Sequence, residues 1–272
     1  MHKSMLIGDK EWQWGKRTYI MGILNVTPDS FSDGGHFYDV DSAVAHARQM
    51  VEEGADIIDV GGESTRPGFK PVSADEEINR VVPVVQRLAQ ELDIPISIDT
   101  YKAKTAIAAI EAGADMINDI WGFKADMDMA AVAAKYKVPI CLMHNKNEAV
   151  YNNLIEDVLT ELKQSIDIAL NAGVEAGNII VDPGIGFGKT WEHNLAIMRH
   201  LEEFKRLDYP ILLGTSRKSF IGRVLDLPVD DRLEGTLATT VVGIVKGVDI
   251  VRVHDVKPNK RVAVMTDAMV RW

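Results

Sequence analysis

Three stretches of the chain share one pattern: Gly54-Ala55-Asp56-Ile57-Ile58-Asp59, Gly113-Ala114-Asp115-Met116-Ile117-Asn118 and Gly247-Val248-Asp249-Ile250-Val251-Arg252. In each, a glycine ends a helix, apolar residues enter a strand, and a polar residue follows five positions after the glycine. Gly177-Asn178-Ile179-Ile180-Val181-Asp182 is a looser copy. A charged or amide side chain within a barrel strand is expensive unless it is paired. Near the C-terminal end of the strand it faces the mouth, where the active sites of such barrels form. Asp59, Asn118, Asp182 and Arg252 are therefore candidate site residues from the pattern alone.

On either side of these repeats, short apolar runs of strand length alternate with stretches of helical period. The runs are 19–24, 57–60, 94–98, 116–118, 140–143, 179–181, 211–213 and 250–253. The first helical stretch aligns Ala43, Val44, Ala47, Met50 and Val51, and Gly54 stops it. The second opens with Ser73 and Glu76 at capping-box spacing. Its apolar stripe is Ile78, Val81, Val82, Val85 and Leu88, with Pro83 inside it, where a kink is expected. Further helices are expected over 102–112, 128–136, 153–171, 191–204, 232–246 and 256–269.

Eight strands alternating with helices, with no shift in composition, predict an α/β fold: a single (β/α)8 TIM barrel over 1–272. The segment 5–14, with Gly8-Asp9 in its middle, reads as a short N-terminal hairpin outside the repeat. An open doubly wound sheet is the alternative, but no GxGxxG follows the first strand.

The 272 residues carry 30 Lys+Arg against 40 Asp+Glu, a formal net charge of −10, and 46% are apolar. That balance argues against nucleic acid or an anionic membrane as the main partner, because both need a cationic face. One cysteine, Cys141, excludes an intramolecular disulfide framework and fits a reducing compartment. No signal-peptide pattern is apparent, and no apolar run approaches the ~20 residues of a membrane span. A cytoplasmic protein is expected.

The polar loops follow the strands. Asn25-Val26-Thr27-Pro28-Asp29-Ser30-Phe31-Ser32-Asp33-Gly34-Gly35 reads either as a plain structural loop or as a mobile one over the mouth. Gly61-Gly62-Glu63-Ser64-Thr65-Arg66-Pro67-Gly68 sets a hydroxyl beside an arginine, which suits an anion or an exposed turn with a surface ion pair. Asp99 either faces the site or caps the next helix. In Asp182-Pro183-Gly184-Ile185-Gly186-Phe187-Gly188-Lys189-Thr190 the first glycine of a phosphate-binding loop falls on Pro183, so that motif fails. The better reading is a sharp turn that leaves Asp182 facing the pocket. Gly214-Thr215-Ser216-Arg217-Lys218-Ser219-Phe220 offers two cations and three hydroxyls, and Arg252 and His254 share one strand face. Cys141 reads as a small core residue, and His144 has no second ligand at metal spacing.

Taken together, 21–35, 61–68, 97–100, 118–122, 182–188, 214–220 and 252–254 resemble the dihydropteroate synthase family from the first strand to the last. The resemblance implies a transferase that joins 6-hydroxymethyl-7,8-dihydropterin diphosphate to 4-aminobenzoate. It also implies Mg²⁺, a homodimer, and sulfonamides competing for the aminobenzoate site.

Carried onto this chain, the resemblance sets Asp182 against the ring N–H and exocyclic amine of the pterin. Asp99 and Asn118 take the other ring donors and acceptors, Lys218 the carbonyl, and Met143, Phe187 and Gly214 complete the pterin site. Thr65, Arg66, Arg252 and His254 would meet the diphosphate, and Asn25 the metal. Phe31, Pro67 and Ser219 would meet the aminobenzoate, and Asp33 would steady the closed first loop. Asp33, Lys218 and Arg252 are the expected catalytic residues. A related pterin-barrel methyltransferase would share the Asp and Asn contacts but not need the anion set. A non-catalytic pterin-binding homologue is the third reading.

Overall fold

The computed structural model describes residues 3–27, 40–64 and 71–271. Strands β1 (Ser4–Ile7) and β2 (Lys10–Gln13) form an antiparallel hairpin with Met5 opposite Trp12. The strands that follow are β3 (Tyr19–Asn25), β4 (Ile57–Gly61), β5 (Ile96–Asp99), β6 (Met116–Asp119), β7 (Ile140–Met143), β8 (Ile179–Asp182), β9 (Leu212–Leu213) and β10 (Ile250–Val253). Among the described residues these eight make one parallel sheet in the order β8-β7-β6-β5-β4-β3-β10-β9. A single parallel bridge between Val181 and Ile211 joins its two ends, so the sheet closes into a barrel at its weakest seam. The helices around it are α1 (Val40–Glu52), α2 (Ala74–Glu91), α3 (Ala103–Glu111), α4 (Met129–Tyr136), α5 (Leu154–Asn171), α6 (Trp191–Arg199), α7 (Ser219–Leu225), α8 (Leu233–Val245) and α9 (Val256–Val270).

The repeat that opens the sequence has a physical explanation at each position. Gly54, Gly113 and Gly247 all have positive φ, the backbone that ends a helix cheaply only without a side chain. The aspartate two positions later reaches sideways to the neighbouring strand. Asp56 accepts the N–H of Ile20 at 2.8 Å, Asp115 that of Ile96 at 2.9 Å, and Asp249 that of Ile211 at 3.1 Å. Each therefore satisfies a strand-end donor at the N-terminal rim of the barrel. In the looser copy, Gly177 lies inside a 3-10 turn, Ala176–Asn178, and the helix before it has already stopped at Gly173.

Period-two alternation sorts the strand residues into two cores. Outward-facing Ile20, Leu24, Ile58, Val60, Ile98, Ile117, Leu142, Val181, Leu213 and Val253 pack under the helices. Inward-facing Met21, Ile57, Met116, Cys141, Ile180, Leu212 and Ile250 form an apolar floor with Met5, Ile7, Trp12, Trp14 and Tyr19. The hairpin thus plugs the N-terminal end. Trp12 stacks on Tyr19 at 4.0 Å, and Trp14 meets both edge-on.

Three local expectations are corrected. Ser73 does cap α2 by accepting the Glu76 N–H, but the Glu76 side chain pairs with Arg80 instead of returning to the cap, so the box is half made. Pro83 lies on the exposed face of α2, outside the buried stripe, and the helix runs through it from Ala74 to Glu91. The stretch expected as one helix over 191–204 is divided at His200, where α6 gives way to a 3-10 segment, Leu201–Leu207.

Candidate active site

The interior changes character along the same strands. One inward step above the floor stand Asp59, in the middle of β4, and Asp99, Asn118, Asp182 and Arg252, toward the C-terminal ends of β5, β6, β8 and β10. Asp59 is fully buried. Its Oδ2 accepts the Arg252 Nε–H at 2.6 Å and the Asn118 Nδ2–H at 3.0 Å. A second N–H of the Arg252 guanidinium donates to Asp99 Oδ2 at 2.6 Å. One arginine is thus gripped by two carboxylates, and the amide of Asn118 is turned so that one N–H meets Asp59.

These partners set the charge states. Burial pushes Asp99 up to about 7, with Asp59 and Glu77 adding to the rise and the Arg252 guanidinium opposing it. Burial works against the charge on Arg252 too, but Asp59 and Asp99 outweigh it and hold the guanidinium firmly protonated. Asp182 is pushed up to about 6 by burial, against the pull of the Gly184 N–H, Lys218, Lys189 and Arg252. Gly184 donates that N–H to Asp182 Oδ1 at 2.7 Å. Asp182 is thus a buried carboxyl whose charged form is opposed by burial and favoured by the Gly184 N–H and the nearby cations.

Beside Asp182, the Lys218 ammonium sits 4.0 Å above the Phe187 ring, a cation–π contact. A Cβ added at Gly214 would lie 3.8 Å from Asp182 Oδ2, so the glycine keeps that side open. Met143 ends β7 opposite Asp182 in the register. Asn25 ends β3 half-buried, with its Oδ1 3.7 Å from where a Gly61 Cβ would be. His254 follows β10, and its Nδ1 pairs with Ser216 Oγ at 2.9 Å. Ser219 is exposed at the start of α7, a helix that begins inside the 214–220 stretch and has no counterpart among the expected helices.

The structure thus gathers Asn25, Asp99, Asn118, Met143, Asp182, Phe187, Gly214, Lys218, Ser219, Arg252 and His254 on the strand ends and following loops at one end of the barrel. Phe31, Asp33, Thr65, Arg66 and Pro67 lie outside the described residues. The second cation of the 214–220 stretch does not join the site: Arg217 turns away and grips Asp255 with two N–H bonds of 3.1 and 2.7 Å. Thr215 is likewise taken up within the scaffold, by Thr239, whereas Ser216 holds His254 of the site. Cys141 is part of the floor, where burial raises its thiol well above the usual range, so it stays protonated.

Asp59 organises the site through its partners. The repeat pattern pointed to it, but its two partners lie 59 and 193 positions away, so no local signal tied them together.

Of the residues that could hold a divalent cation, the described part of the site offers Asn25. Asn25 offers a neutral oxygen at the rim, and no cluster of three or more His, Cys, Asp or Glu suited to a metal exists among the described residues.

The model of the pterin-binding enzyme family matches residues 21–254. A dihydropteroate synthase of Clostridium beijerinckii is 65% identical over 98% of this chain and 100% of its own. The structure of a Clostridium difficile dihydropteroate synthase in the presence of pteroic acid superposes with a TM-score of 0.94 at 57% identity, over 96% of this chain and 100% of that one. The Xanthomonas albilineans enzyme with 4-aminobenzoic acid gives 0.94 at 37% identity, over 99% and 98%. A Yersinia pestis enzyme with a sulfonamide drug gives 0.91 at 40%, over 98% of both chains. The chain belongs to the pterin-binding enzyme family and, within it, to the dihydropteroate synthases.

Proposed function

We propose that the polar end of the barrel performs the family reaction as follows. The C–O bond to the diphosphate breaks, and its electron pair leaves with the diphosphate. The pterin-stabilised cation left behind is attacked by the amine of 4-aminobenzoate, which then sheds a proton to give 7,8-dihydropteroate. No protein nucleophile is required, which fits a site whose nearest thiol is buried and protonated.

The observation that carries this reading is Asp182. A buried carboxylate, steadied on one oxygen by the Gly184 N–H, accepts two adjacent N–H groups of a pterin edge at once. A site built to pair such donors rejects rings that lack them, because its own polar atoms would be left unmet. Asn118 and Asp99 take further ring positions, with Asp59 fixing which way the Asn118 amide faces. Lys218 takes the pterin carbonyl, and Met143, Phe187 and Gly214 shape the ring slot.

Arg252 meets the diphosphate together with His254, Thr65 and Arg66. Asp59 and Asp99 keep Arg252 charged and aimed before substrate arrives, so little reorganisation is needed as charge builds on the leaving group. Asn25 would hold Mg²⁺, whose charge offsets that of the departing diphosphate. Ser219, with Phe31 and Pro67, meets the aminobenzoate and the sulfonamides that compete with it, and Asp33 steadies the first loop. The free, buried Cys141 is in keeping with a reducing cytoplasm as the setting.

The protein also acts as a homodimer in this reading. Helices α8 and α9 pack on each other and leave Val242, Val245, Val264, Met265 and Met269 exposed, an apolar face of the kind a second copy covers.

The test mixes the protein with the pterin diphosphate, 4-aminobenzoate and Mg²⁺. Diphosphate and 7,8-dihydropteroate are expected in equal amounts. Pterin binding with no product at any Mg²⁺ concentration would overturn the reading.

A further inference from the structure

Lys189 ends a stretch that imitates a phosphate loop, yet its ammonium is turned into the protein. It donates to the carbonyls of Gly184 and Phe187, each at 2.9 Å, and meets His144 Nδ1 at 2.7 Å. Burial lowers Lys189 to about 7, with Asp182 and Glu161 opposing the fall, and in its ammonium form its three N–H groups find three acceptors. Since Nδ1 of His144 accepts, its proton sits on Nε2, which donates to Glu161 Oε2 at 3.0 Å. Burial, followed by the charge of Lys189, holds the His144 imidazole down to about 2, so it stays neutral and keeps that tautomer. Lys146 holds the other Glu161 oxygen at 2.9 Å.

What this chain of bonds secures is the turn between Asp182 and Lys189. The turn is pressed onto the segment after β7: a Cβ at Gly184 would lie 1.9 Å from the His144 carbonyl oxygen, and one at Gly188 2.4 Å from that of Lys146. Its outer end is tied by Tyr151, which donates to the Gly188 carbonyl at 2.7 Å. The turn begins at the carboxylate assigned to the pterin edge and carries the ring under Lys218.

We propose that Lys189, His144 and Glu161 form a positioning relay for the pterin site, holding the 183–188 turn so that Asp182 and Phe187 address one pterin together. The relay touches no substrate atom. It rests on the reading of this pocket as a pterin site, and it adds a reason for the lysine that the failed phosphate-loop motif left unexplained.

The test uses the full chain, titrated calorimetrically with 6-hydroxymethyl-7,8-dihydropterin diphosphate and assayed in steady state. Lys189→Met is expected to weaken pterin binding about tenfold or more, because small misplacements of a positioned group are costly. Its kcat at saturating pterin and its KM for 4-aminobenzoate should stay within about threefold of the wild type, a split that general loosening would not produce. Glu161 lies on the partly exposed side of α5, so its variants keep the question answerable if Lys189→Met does not fold. Glu161→Ala should weaken pterin binding, and Glu161→Gln, which keeps an acceptor for His144, should restore it. Nitrogen-15 spectra should show the His144 Nε2–H tautomer in the wild type and in Glu161→Gln. Unchanged pterin affinity in folded Lys189→Met, equal losses for both substrates, or Glu161→Gln no better than Glu161→Ala would overturn the relay. A wild-type protein that binds no pterin would overturn the site reading itself, and the relay with it.

Discussion

The two ends of the barrel interior are built on the same strands and do opposite things. At the floor, Ile57, Met116, Ile180 and Ile250 close on Tyr19 of β3 and on Trp12 of the hairpin plug. Two residues further along those strands stand Asp59, Asn118, Asp182 and Arg252. The floor follows the ordinary rule that apolar surface is hidden. The top violates it with buried carboxylates, one of which retains an oxygen, Asp59 Oδ1, with no hydrogen-bond partner. The contrast teaches that stability and chemistry are separated here by a single inward step. The cost of the polar layer is carried by the apolar one beneath it.

Four perturbations would break or sharpen that contrast. Trp12→Ala should cost roughly 3–5 kcal/mol of stability, as large aromatic truncations in cores do, while the folded fraction binds pterin normally. Thermal melts paired with a pterin titration check it, and a large affinity loss without destabilisation would blur the division. Lys218→Met should lower kcat/KM roughly 100-fold with the melting temperature nearly unchanged, since it removes a charge aimed at the substrate and not at the core. Steady-state kinetics and a melt decide that one.

Asp182→Asn makes a pH-dependent prediction. The native carboxyl is pushed from 3.8 up to about 6, chiefly by burial, so the native state binds that proton more tightly than the unfolded chain. Its stabilising effect is complete below about pH 4 and is lost as pH rises through 6. Asn removes the cost of the buried charge. The variant should gain up to roughly 3 kcal/mol at pH 8, and the gain should vanish toward pH 4. A gain that is constant across denaturation curves at several pH values would contradict the assignment. The smallest effect belongs to Cys141→Ala: about 1 kcal/mol from the lost packing of one small floor residue, with kcat and pterin affinity untouched.

Much of this division was legible in the sequence, because both periodicities are local. The apolar runs located the barrel strands, and glycines at positive φ marked the joints. The polar residue ending each repeat pointed to the mouth. What stayed hidden depends on distant partners. The aspartates at the third position of the repeat hold neighbouring strands, as Asp249 holds Ile211 across 38 positions. Asp59 holds Arg252, and Lys189 holds His144 from 45 positions away. The short β9 was legible as an apolar run, but not that the barrel would close there through one bridge. Helix α7 was masked by the polar motif at its start, Ser216-Arg217-Lys218-Ser219, which reads as loop chemistry.

The opposition between the two ends is tested most directly by one calorimetric comparison: wild type and Asp182→Asn titrated with the pterin diphosphate at pH 8. An amide cannot accept two adjacent N–H donors, so the account predicts a loss of about 100-fold in affinity from a protein that is folded and no less stable. Equal affinity in the two proteins would contradict the claim that this carboxylate, set one step above the floor, reads the pterin.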